Sequence, residues 1–367
     1  MSKGLRAAVV SAIAGAIALV AGLLVAPHVV AISYLVAYTA TLAIVTGMLL
    51  VVMMAHLSGA TWFVLLRRQA EGVVSSLPAL AVMGLPLVVV PRAFWPGSTD
   101  FRGAFFVARA FLYWIAWLGT GELLRRASRR QDSGADPAAS GTLRILSAAG
   151  IPAIATAMTF AAFDWMMSVS PGWSSSVYGA YYLSGAMVGA LALLATLAWV
   201  RVLRRDQWAP TAEHVHALGK LTLAFVLFWG YIWYAQFFVI WMADLPREIP
   251  WYIVRLRGAW APLGWMVLAC GFAMPALVLL LRVARRSATV MATIGIWLLG
   301  VHYLDVYWLL VPSMQADRSS TSALWDLGAL FFVVGSAAAM AIWRQSTLPS
   351  VPVGDPLLDW SIRYETH

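Results

Sequence analysis

The sequence predicts an all-α integral membrane protein with about ten transmembrane helices and both termini on the cytoplasmic side. Three observations carry this. Hydrophobic residues make up 62% of the 367 positions and charged residues only 11%, with a mean hydropathy of +0.79, whereas a soluble domain carries about 25% charged residues. The apolar residues fall in runs of about 20, the length that crosses a bilayer as a helix. Lys and Arg lie mostly between these runs and on one side of them, which is the pattern that sets orientation. Trp, at 19 residues, suits aromatic belts at the two membrane interfaces.

The runs place spans near residues 5–26, 31–55, 72–91, 104–124, 145–169, 177–200, 216–242, 260–281, 288–311 and 322–343. The first follows Lys3 and Arg6, but it is too long for the hydrophobic region of a signal peptide and long enough to span. The third contains Pro78 and Pro86, and residues 60–68 before it read as a separate amphipathic turn at the surface. The longest loop, 131–142, is small and polar, as a mobile connection would be. Residues 1–348 form one polytopic domain. The tail, 349–367, carries three prolines and mixed charge and is expected along the cytoplasmic surface or against a neighbour. No internal sequence repeat stands out, and two similar helix bundles remain open.

With the N-terminus cytoplasmic, only Arg92, Arg102, Arg247, Arg255, Arg257 and Arg318 fall on the opposite side, and Arg109 falls inside a span. All other Lys and Arg are cytoplasmic, as the positive-inside rule requires, and an even number of spans agrees. The same distribution argues against nucleic acid, because the basic residues form no single phosphate-binding face.

Polar residues within the spans then sort into two layers by helix rise. The outer layer holds Arg109, Asp164, Gln236, Asp244, His302 and Asp305. His302 and Asp305 are spaced i, i+3 and share a face, with Asp305 about 10 Å below the outer end of its span. The inner layer holds His56, Glu71, Glu122, His214, His216 and Lys220. Intramembrane acids and histidines are costly and mark ion paths, so one reading is a pair of polar half-channels or a quinone-head site with a proton route. The other is helix fastening by Arg109 with Asp164 or Asp305, while the inner residues meet headgroups and water and Lys220 snorkels.

Other chemistry is excluded more sharply. Cys270 is the one cysteine, so no disulfide, iron–sulfur cluster or cysteine-based zinc site forms within the chain. Only His302 is interior enough for haem, and a bis-His haem needs two such residues. His214 and His216 are i, i+2 and point to different helix faces, a poor metal pair. No phosphate-cradling glycine loop or nucleophile elbow occurs. The aromatics of FWGYIWYAQFFVIWMAD cover all sides of the seventh span, first as packing and belt residues, with stacking on a quinone ring as the second reading.

Four stretches carry a resemblance: FDWMMSVSPGWSSSVYG (163–179), LGKLTLAFVLFWGYIWYAQFFVIWMADLPREIPWY (218–252), RLRGAW (255–260) and LDVYWLLVPS (304–313). Together they resemble the NrfD-like membrane-anchor family of polysulfide and nitrite reductases. Within it they resemble the second NrfD-like, quinone-binding-type subunit of alternative complex III, the quinol:cytochrome c oxidoreductase. The likeness covers spans five to ten well and spans two to four loosely. It implies a ten-helix subunit in a bacterial inner membrane, embedded in the lipid bilayer beside a paralogous NrfD-like subunit. Further implied partners are a periplasmic iron–sulfur subunit, multihaem and monohaem cytochromes c, small membrane subunits and a terminal oxidase. Haem and iron–sulfur clusters would reside in those partners, and the complex would oxidise quinol, typically menaquinol.

In that family the better-supported quinol site lies in the paralogue, so this chain is expected to be a structural and proton-conducting partner without redox cofactor. Departures are Arg247 and Glu248 after Pro246, Ala217 before the LGK motif, and Ala235 before Gln236; all thin the polar layers. The expected route has Asp164, His302 and Asp305, with Arg109, Gln236 and Asp244, as a periplasmic exit. His56, Glu122, His216 and Lys220 form its cytoplasmic entrance. The first alternative is a quinone-binding membrane anchor of a related molybdopterin/iron–sulfur oxidoreductase, in which this chain binds quinone itself at Asp164, Trp173, His302 and Asp305. The second is a secondary transporter built of two five-helix repeats, against which spans five to ten show no obvious Gly/Pro-broken pair.

Overall fold

The computed structural model describes residues 1–95, 103–134, 138–314 and 322–365. Among them, ten helical segments are long and apolar enough to cross a membrane and no strand occurs, so the chain is an all-α, multi-pass membrane protein. Only helices or closed barrels satisfy every backbone group within lipid. The elements are α1 (Lys3–Val25), α2 (Pro27–Ser58), α3 (Val64–Val74), α4 (Leu77–Val89), α5 (Pro91–Phe94), α6 (Ala104–Asp132), α7 (Ala139–Trp165) and α8 (Tyr178–Leu203). There follow α9 (Ala212–Ala243), α10 (Ile249–Leu256), α11 (Ala261–Leu268), α12 (Met274–Leu280), α13 (Arg282–Arg286), α14 (Ala288–Leu310), α15 (Ser322–Gln345) and α16 (Leu358–Ile362). Arg102, Arg318 and His367 lie outside the described residues.

The centre is α2. Its most apolar window is 94% buried, against 22% for α1, and it packs on α1, α3, α4, α7, α8, α14 and α15. Pro27 at its first turn tolerates the missing N–H, and Gly59, at φ 60°, ends it in the left-handed region that favours glycine. Thr39, Thr41 and Thr46 would be costly inside the core. Each instead donates to its own i−4 carbonyl, at 2.7, 2.8 and 2.7 Å. Gly47 lets α2 approach α8: a Cβ there would overlap the Ala186 carbonyl.

Two groups of helices share this seam. On one side α2 packs with α3, α4 and α7, and α6 packs on α4 and α7; on the other, α8 packs with α9 and α14, and α11 and α12 close the group. Antiparallel α1 and α15 form a pair outside both, with Gly15 and Gly335 set against the facing backbone and Gly22 against Trp325. Gly4 lies beside Ile342, so the two ends of the chain share one face, called here the terminal face.

Three expectations are corrected. The third span covers Thr61–Val89, beginning well before residue 72, and the 60–68 stretch is not a surface turn: Arg67 and Arg68 are 2% and 1% exposed. They escaped the hydropathy reading because ion pairs compensate their burial. The 131–142 loop is also shorter than expected, since α6 runs to Asp132 and α7 starts at Ala139. The tail, in keeping with its expected place along a membrane surface, is docked on the terminal face: Asp355 binds Arg67 at 2.5 Å and the Ser361 carbonyl accepts from His214 Nε2 at 2.9 Å.

Candidate functional site

The outer-layer residues do not converge. Asp164, in the last turn of α7, receives Arg109 of α6 through two hydrogen bonds of 2.9 Å, and the Tyr113 hydroxyl at 2.7 Å. Arg109 also lies over the Phe105 ring at 4.5 Å. This planar, bidentate geometry is the strong form of a carboxylate pair, and it ties α6 to α7. Trp165, the next residue, is packed in an aromatic cluster with Tyr38, Tyr113, Trp114 and Trp117.

Asp305 and His302 belong to a different cluster, in the seam of α2, α8, α9 and α14. Asp305 is 3% exposed and accepts from the Tyr181 hydroxyl of α8 at 2.5 Å and from the Trp229 indole of α9. Among the described residues no cation pairs with it. One turn earlier, His302 Nε2 donates to the Ala40 carbonyl of α2 at 3.2 Å. A carbonyl only accepts, so this bond puts the proton on Nε2 and turns Nδ1 toward Gly185. As the i, i+3 spacing requires, both side chains face one small cavity, of about 20 Å³, also lined by Gly185, Val188, Trp229, Gly271 and Leu298. A cavity needs roughly 10–15 Å³ to hold one water. This one has that room, and within mostly apolar walls His302 and Asp305 supply the polar groups.

The cavity's outer wall contains an interruption. Between α11 and α12 the chain makes a π-turn, Ala269–Ala273. Pro275 cannot donate to the carbonyl four residues back and its ring would crowd it, and widening the turn removes the clash. The indole of Trp297 then takes up the Cys270 carbonyl at 2.9 Å. Such turns occur often at functional sites, and Gly271 of this one lines the cavity.

From Asp305 outward runs a band of hydroxyls. Tyr178 and Tyr181 lie one turn apart on α8, with Tyr252 of α10 as an electrostatic neighbour of Tyr181. The Tyr178 hydroxyl and Gln236 Oε1 are buried without a partner among the described residues, while the Gln236 amide donates to Tyr252. At the band's outer end Arg255 of α10, 1% exposed, donates to the carbonyls of Trp251, Trp308 and Leu309 and to Ser313 Oγ. Ser170 donates to the same Ser313 at 2.6 Å. The Arg255 guanidinium lies 3.6 Å from the Trp251 ring centre. Burial pushes its pKa down to about 9, still above neutrality, so it stays a cation stabilised by the C-terminal carbonyls of α14.

The inner layer divides in two. Glu71 is held by Arg67 at 2.8 Å and Arg68 at 2.5 Å, both of which also bond Ser128, while Asp132 pairs with Arg68 and Asp355 with Arg67. Glu122 binds Arg125, Arg126 and Arg344, and His56 bonds Ser147 at 3.1 Å. On the other group, His214 is fully buried and shares a capping box with Thr211 at the start of α9. His216 is also buried, and Lys220 is exposed. So Glu71 and His214 do not simply meet headgroups and water; both are satisfied inside the protein.

Two further residues are corrected. Asp244 does not join the outer layer: it is an exposed end cap of α9 in the left-handed conformation, at φ 49°. Trp173 is not available to a ring ligand, because it is 7% exposed and stacked on Trp251 at 4.5 Å. Of the four residues named for a quinone head, His302 and Asp305 line one cavity without Asp164 or Trp173, and it is far below the roughly 300 Å³ of small-molecule sites. Among the described residues no three His, Cys, Asp or Glu side chains converge as for a metal ion.

Sequence reasoning missed Tyr181, Trp229, Arg67, Arg68 and Arg255. Tyr181 and Trp229 sit among many aromatics with nothing local to single them out. Arg255 was legible only as a loop charge. No protein-family model matches this chain, and no curated protein matches it significantly.

Proposed function

We propose that the chain is a proton-exchanging membrane subunit of a quinol-oxidising electron-transport complex, in a bacterial inner membrane. The motif resemblance supports the complex, and alternative complex III is the form it indicates, with the redox centres in partner chains. The observation that carries the proton role is Asp305: a buried carboxyl without a cationic partner among the described residues, bonded to Tyr181 and facing a water-sized cavity with His302. Asp164 is enclosed by the Arg109 guanidinium and the Tyr113 hydroxyl, whereas Asp305 opens on a cavity with room for one water, the arrangement a proton relay needs. The tyrosine band toward Ser313 supports the outward half of the route.

Two measurements test the reading at separate points. A tagged chain purified from its native membranes should bring haem absorbance and iron–sulfur protein with it; recovery of the chain alone would end the assignment to such a complex. In the intact complex, Asp305→Asn should lower proton release per quinol oxidised while assembly is kept. Unchanged stoichiometry would end the proton role.

A second reading, a proton-coupled transporter, is favoured by the π-turn that interrupts the eighth span beside the buried acid. Substrate uptake by liposomes holding this chain alone would support it over the first.

A further inference from the structure

We propose that the cavity between α4 and α6 at the terminal face binds the phosphate headgroup of an anionic phospholipid. The cavity measures about 350 Å³, within the range of small-molecule sites. Its ends differ in chemistry. One end carries Glu122, Arg125 and Arg344; the other is apolar, with Leu49, Leu77 and Leu118. Because α6 descends toward the terminal face, Leu118 lies one turn deeper than Glu122 and about two deeper than Arg125. An amphiphile with its head at that face and a chain between the helices matches this order.

The charge balance selects the head. Arg125, Arg126 and Arg344 all converge on the single acid Glu122, at 2.8, 3.0 and 2.7 Å. The other acid in the wall, Glu71, is already bound by Arg67 and Arg68. Three guanidinium groups on one carboxylate leave a positive surplus beside the opening. Arg125 spends Nε and Nη2 on Glu122, leaving Nη1 for an incoming oxygen; Arg344 spends Nη1 and Nη2, leaving Nε. Guanidinium forks suit phosphate oxygens, and basic pockets between helices on the cytoplasmic side hold anionic headgroups. The site is separate from the Asp305 cluster and does not depend on the proposed role in electron transport.

The test uses the purified, delipidated protein in detergent, followed by thermal melting and by native mass spectrometry of retained lipid. Added phosphatidylglycerol or cardiolipin should raise the melting temperature and be retained, while phosphatidylcholine and inorganic phosphate should not. Arg125→Gln with Arg344→Gln should reduce retention of the anionic lipid several-fold. Leu118→Trp, which fills the apolar end and leaves every arginine in place, should do the same even where the double variant fails to fold. Equal protection by phosphatidylcholine would reduce the site to an apolar groove. Equal protection by inorganic phosphate would make the ligand a free anion. Either result overturns the proposal, as would unaltered retention in folded Leu118→Trp.

Discussion

Asp164 and Asp305 are both intramembrane acids, yet their neighbours give them opposite work. Arg109 and Asp164 are partly buried, and removing one partner loses charge-assisted hydrogen bonds worth about 1.5–3 kcal/mol. Arg109→Leu should therefore lower the thermal stability of the protein by about that amount, and Asp164→Asn by less, because the amide keeps a partner for Tyr113. Asp305→Asn should leave the melting temperature nearly unchanged, since Tyr181 still has an oxygen to donate to. Melting curves of the three variants side by side check this; equal losses at both acids would erase the distinction. Arg255→Lys belongs to the same scale. An ammonium cannot reproduce the fork that reaches the Trp308 and Leu309 carbonyls and Ser313 together. Each lost bond to a charged donor is worth about 1.5–3 kcal/mol, so α10 should become susceptible to limited proteolysis while the membrane spans stay protected.

Among the elements, the interrupted span of α11 and α12 is the informative one. A Cβ on Gly271 would come within 3.0 Å of Val301 and 3.1 Å of Trp229. Gly271→Val should therefore fill the cavity beside Asp305 without removing any titratable group. Proton release per turnover should fall with this variant as it does with Asp305→Asn, and full release would show that the cavity is not on the path. The turn between α8 and α9 carries a pH dependence of its own. Burial raises the Asp206 pKa, but the Trp208 backbone N–H and the Arg201 guanidinium outweigh it and hold the carboxyl below its ordinary value. A depressed acid lends stability that is present above its unfolded pKa and is lost as pH falls through the folded one. Hydrogen exchange in this turn should accelerate as pH drops below the usual carboxylate range, and Asp206→Asn should remove that dependence.

At the scale of the whole molecule, the ten spans were legible because lipid imposes a simple rule on composition and length. The boundaries that slipped did so where charge hides inside, as at Arg67 and Arg68, whose partners Asp132 and Asp355 are remote in sequence. The i, i+3 pairing of His302 with Asp305 was readable for the same reason in reverse: both sit on one helix. Which acid meets a cation was not readable, since Arg109 and Asp164 come from different helices and only packing brings them together. The docked tail adds a long-range tie, and Asp355→Ala should release residues 349–365 to protease without unfolding the spans. The α1–α15 pair has a consequence for biogenesis. α1 finds its principal partner only when α15 arrives, so α1 must wait in the bilayer with its glycine face open while the spans between them assemble. A stop codon before α15 should leave a chain whose amino-terminal helix is available to membrane proteases or to α15 supplied as a separate polypeptide. Rescue by that fragment would show that the molecule closes, end to end, in a single late step.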